Sequence, residues 1–114
     1  MRAQTVFYSW QADLPNRTNR TFIEDALERA AKTIRIDNSL KVELRIDRDT
    51  ADTAGSPAIA DTILQTIAAA DVFVPDVSIV ATTSGGKACP NPNLLLELGY
   101  ALSNVGSDRI IMVM

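Results

Sequence analysis

The chain has 114 residues, 46% of them hydrophobic, with 14 acidic and 11 basic side chains for a net charge of −3. That length bounds the protein to one domain with a real core, and the acidic balance argues against a general nucleic-acid binder, which would carry a basic face. No histidine is present, which removes Ser-His-Asp and Cys-His nucleophile systems and the usual zinc hydrolase sites.

No run approaches the roughly 18 consecutive apolar residues of a membrane span, so no membrane association is expected. The N-terminus, MRAQTVFYSW, enters a strand-like run directly and lacks a signal-peptide pattern. The single cysteine, Cys89, cannot form an internal disulfide, so a cytoplasmic location is expected. With no secretion signal, the two glycosylation sequons in NRTNRT, Asn16 to Thr21, are read as chance. Neither common Gly-rich phosphate loop occurs.

Taken in chain order, Thr5 to Ser9 is a β-branched and aromatic run that predicts a first strand. Phe22, Ile23, Ala26, Leu27, Ala30, Ala31 and Ile34 repeat at the spacing of one helical face, and Thr21 with Glu24 fits a capping box. Lys41 to Asp47 alternates apolar and charged residues, which predicts a second strand at a sheet edge. Ser56-Pro57 opens a second helix, with Ile59, Ala60, Ile63, Leu64, Ile67 and Ala68 as its apolar stripe. Val72 to Val74 reads as a buried third strand. A flexible loop follows, and Asn91-Pro92 or Asn93 opens a third helix running to about Asn104. Gly106 ends that helix, and RIIMVM is a fourth strand.

Strands alternating with helices imply a parallel sheet covered on both faces. The predicted class is therefore α/β, a three-layer α/β/α arrangement around a central parallel sheet. The chain stops on a hydrophobic strand with no helix after it, so a last strand and helix are expected beyond residue 114.

Ligands of open parallel sheets bind beyond the carboxyl ends of the strands. Ser9, Trp10, Gln11 and Asp13 follow the first strand, Asp47, Arg48 and Asp49 the second, and Asp76 and Ser78 the third. The third helix carries Glu97 on the same side as Leu94 and Ala101, within a stripe completed by Leu98 and Leu102. A charge on that side is costly unless it is paired, reaches water or faces a pocket. Glu97 cannot complete a capping box from Asn91 or Asn93, and the alternatives are a pocket carboxylate or a boundary residue paired with Arg48. Trp10 is either a lid on the core or a binding platform. Arg17, Arg20 and Lys87 are loop cations at the same edge, and Cys89 has no evident activator.

Four segments together resemble a bacterial TIR (Toll/interleukin-receptor-like) domain. VFYSWQAD is similar to that family's first strand, RIDRDT to its second strand and following loop, and ADVFVPDVS to its third strand. NPNLLLELGYAL is similar to the helix that carries the family's catalytic glutamate, here Glu97. Many members carry Trp-Cys ahead of that glutamate where this chain has Asn93-Leu94. The helix segment is also similar to nucleoside 2-deoxyribosyltransferases, a related flavodoxin-like group.

The resemblance implies a flavodoxin-like fold and cleavage of NAD at the nicotinamide–ribose bond, with NAD as substrate rather than cofactor and no metal. It further implies activation by self-assembly in antiviral defence and a fused or separate sensor domain. Under it, Glu97 is catalytic, Phe7 and Ser9 shape the pocket floor, and Trp10 stacks on a ring. Arg48 contacts phosphate, and Asp76 and Ser78 hold ribose or order the loop. The alternatives are a deoxyribosyltransferase, with Asp76 or Asp49 as second acid, and a non-enzymatic scaffold assembling through Arg48 to Gly55.

Overall fold

Side chains of the first strand, β1 (Arg2–Ser9), point alternately to two sides, and both sides are covered. Val6 and Tyr8 join Trp10 and Val74 in one buried cluster, against Ile23 and Leu27 of α1 (Arg20–Ile36). Phe7 faces the other way, into a cluster with Ile67, Phe73, Ala101 and Val105. That cluster is built by α2 (Pro57–Ala69) and α3 (Pro92–Asn104) over the sheet. The computed structural model describes residues 2–36, 42–48 and 57–114. Within them the sheet is sandwiched between α1 on one face and α2 with α3 on the other.

The sheet has the order β2–β1–β3, with β2 (Val42–Arg48) at an edge as its alternation predicts and β3 (Val72–Pro75) on the far side of β1. Both pairings are parallel, with Val6 opposite Val72 and Ser9 opposite Pro75. Asp71 fixes where β3 begins. Its carboxylate accepts the Thr5 N–H at 2.8 Å while its own N–H donates to the Thr5 carbonyl at 3.0 Å. Phe7 and Phe73 stack across the pair, ring centroids 6.0 Å apart.

The predicted fourth strand lies beside β3 but forms two isolated parallel bridges, Phe73–Ile110 and Asp76–Val113. Ile111 and Val113 donate to the carbonyls of Phe73 and Pro75, and Val77 donates to that of Val113. The missing rung is the one Pro75 would donate, and proline has no N–H. Gly106, at φ 94°, turns the chain out of α3 into a short 3-10 turn, Ser107–Arg109, before this segment begins.

Three further expectations are corrected. The flexible loop expected after β3 contains an antiparallel hairpin, β4 (Ile79–Thr82) with β5 (Ala88–Pro90). Its turn is closed by Thr83 and Lys87 and passes through Gly86 at φ 87°. The β-branched run before Ser84-Gly85-Gly86 was a hairpin signal. Thr21 does not cap α1, because the helix already begins at Arg20 and Ile23 donates to the Asn19 carbonyl at 2.8 Å. The inward faces keep Ala31, Leu94 and Ala101 of the predicted stripes but are narrower than those stripes. In α1, Phe22 is 65% exposed while Ala31 is buried, and in α3 the buried residues are Leu94, Glu97 and Ala101, with Leu102 exposed.

Candidate functional site

The start of α3 is set by Asn91, whose side chain accepts the Asn93 N–H at 2.8 Å, with Pro92 at the first helical position. From that start Leu94, Glu97 and Ala101 fall on the face turned to the sheet. Glu97 is only 7% exposed. It is satisfied from β1: the Ser9 hydroxyl donates to Glu97 Oε1 at 2.5 Å, in the range of a charge-assisted bond. Ser9 is the last residue of β1 and points to the same side as Phe7, so strand periodicity delivers its hydroxyl to α3. A hydrogen bond ties the preceding loop to this helix start, from the Asn91 side-chain amide to the Asp13 carboxylate.

The second carboxylate at this sheet edge, Asp76, faces the opposite way. It is fully buried on the side of α1. Asn19 Nδ2 donates to Asp76 Oδ2 at 3.1 Å and to the Ser78 hydroxyl at 3.0 Å, and the Ser78 N–H donates to Asp76 Oδ1 at 3.0 Å. Gln11 joins the group through Nε2, which donates to the Ser78 carbonyl at 3.3 Å. Its Oε1 is buried with no protein partner. Asp76, Asn19 and Ser78 can be buried together because they satisfy one another.

Tyr8 and Trp10 sit on this same side. The Tyr8 hydroxyl donates to the Arg20 carbonyl at 3.3 Å. Burial, reinforced by the negative charges of Asp76 and Glu24 and opposed by Arg20, pushes the phenol well above its ordinary range. The Arg20 guanidinium lies 3.7 Å from the centroid of the Trp10 ring, and the indole is 3% exposed. Trp10 is thus covered by a cation here rather than open as a platform.

The structure therefore joins Ser9 to Glu97, with Phe7 behind them in the core, and joins Asp76 to Ser78 on the reverse face. The two groups meet through the backbone, where the Asp76 N–H donates to the Ser9 carbonyl at 3.0 Å. Arg48 ends β2 opposite Tyr8. Its side chain, like Asp49 and the loop through Ser56, lies outside the described residues. Asn19, Gln11 and Arg20 carry roles that the sequence reading did not assign.

Among the described residues no group of three or more His, Cys, Asp or Glu side chains is arranged to hold a metal ion. No helix among them is long and apolar enough to cross a membrane. Comparison with known protein families and with curated proteins returns no match. The class that fold and geometry define is an α/β protein with a parallel sheet and a buried, hydroxyl-bonded carboxylate at the sheet's C-terminal edge.

Proposed function

We propose that this protein is a TIR-like NAD glycohydrolase that uses Glu97 to break the nicotinamide–ribose bond. The observation that carries this reading is the buried Glu97 carboxylate, bonded to Ser9 at the end of a parallel strand. The order β2–β1–β3, with residues 110–113 beside β3, supports a flavodoxin-like assignment.

The chemistry suits a chain without histidine. The nicotinamide of NAD is a cation that departs neutral, so the C–N bond breaks with its electron pair moving to the ring nitrogen and no acid is required. The ribose left behind resembles an oxocarbenium ion. A carboxylate on its face stabilises that charge or orients the ribose hydroxyls. Water then adds to the anomeric carbon and loses a proton, giving ADP-ribose; attack by the adenine ring instead gives a cyclic product.

A deoxyribosyltransferase expels a poorer leaving group and calls for a second acid beside Glu97. Asp76 is turned to the other face and engaged by Asn19 and Ser78, which disfavours it as that acid; the other candidate, Asp49, lies outside the described residues. Self-association belongs to the same proposal and is supported by leucines exposed on α3, Leu95, Leu96 and Leu102. A sensor domain that triggers assembly, in the setting of cytoplasmic antiviral defence, completes the reading.

The test is nicotinamide release from NAD by the protein at high concentration or artificially clustered, beside Glu97→Gln with its fold checked by circular dichroism. Release that disappears in the variant supports the proposal. No release from the clustered wild type, or equal release from both, overturns it.

A further inference from the structure

We propose that Ser9 is a positioning residue that holds the Glu97 carboxylate by one oxygen, rather than a wall of the substrate pocket. The inference deepens the glycohydrolase reading and rests on it for its kinetic consequences.

Ser9 is fully buried, so its side chain has no surface to offer a substrate. Its hydroxyl is aimed at Glu97 Oε1 at 2.5 Å. The backbone at Ser9 is held against β3. Its carbonyl accepts the Asp76 N–H, and the parallel pairing sets it opposite Pro75. A donor fixed this firmly removes rotamer freedom from a three-torsion side chain and determines where the second carboxylate oxygen points.

A residue of this kind acts on the reacting geometry and not on substrate affinity. Ser9→Ala, which adds no volume, should lower kcat about ten-fold or more, the scale of one lost hydrogen bond to a charged group, while KM for NAD stays within about two-fold. In a Glu97→Gln background the same substitution should add almost nothing. A proton NMR spectrum supplies an arm that needs no turnover. The short bond should give a downfield, slowly exchanging hydroxyl resonance, absent from Ser9→Ala.

Unchanged kcat in Ser9→Ala, a rise confined to KM, or no downfield resonance in the wild type would each overturn the assignment. If the resonance is present but the clustered wild type releases no nicotinamide, the Ser9–Glu97 pairing stands and the glycohydrolase reading fails. The two failures are therefore distinguishable.

Discussion

Asp76 and Glu97 are turned to opposite faces of the sheet although both lie at its C-terminal edge, and the peptide of Ser9 stands between them. Ser9 accepts the Asp76 N–H through its carbonyl and donates its hydroxyl to Glu97. The period-two geometry of β strands imposes this division, because Val74 and Asp76 share one face of β3 and its continuation while Phe73 shares the other with Phe7. One carboxylate is thereby tied into the loop that starts α1, and the other is held on α3.

Asp76 should matter to folding more than to turnover. Asp76→Ala removes the acceptor for Asn19 Nδ2 and the Ser78 N–H in a fully buried setting. A loss of about 2–3 kcal/mol is expected, read by urea denaturation. Wild-type stability with lost activity would instead give Asp76 a part in the chemistry.

Glu97 should show the reverse balance. A buried carboxylate kept for function is often no better for stability than a neutral isostere. Glu97→Gln still offers an oxygen to the Ser9 hydroxyl, so its midpoint in thermal unfolding should equal or exceed that of the wild type. A clearly lower midpoint would mark Glu97 as a residue retained for folding.

Trp10 is the chain's one tryptophan, so its fluorescence reports a single site. Arg20→Ala uncovers the ring, and the emission maximum should move to longer wavelength with a stability loss of about 1 kcal/mol. The Tyr8 hydroxyl bonds the Arg20 backbone and is unaffected by this change. An unshifted emission maximum would mean that other groups keep water from the indole.

Tyr8 links stability to alkaline pH. Its phenol is raised above the ordinary value of 10.0 by burial first, then by Asp76 and Glu24. The folded state therefore keeps a proton that the unfolded chain gives up near pH 10.0, and stability falls as pH rises above that value. Below it both states are protonated and the full contribution is present. The denaturant midpoint of the wild type should fall relative to that of Tyr8→Phe as pH rises above 10.0, with the gap unchanged at lower pH. A constant gap would refute the linkage.

Local spacing alone determined much of this protein. The β-branched and aromatic run at Thr5 to Ser9, the proline at residue 57 and the Asn91-Pro92 pair each identify an element from side-chain sterics or capping, and alternation of such elements implies a parallel sheet. The inward position of Glu97 was legible for the same reason, since it shares a helical face with Leu94 and Ala101. Which donor it meets was not, because Ser9 lies 88 residues away in sequence. The rotation of each helix about its axis depends on the surface it docks against, so Phe22 and Leu102 stand outward despite lying within apolar stripes. The reversal of Asp76 and the covering of Trp10 by Arg20 likewise follow from strand register and the approach of α1, which only the assembled chain decides.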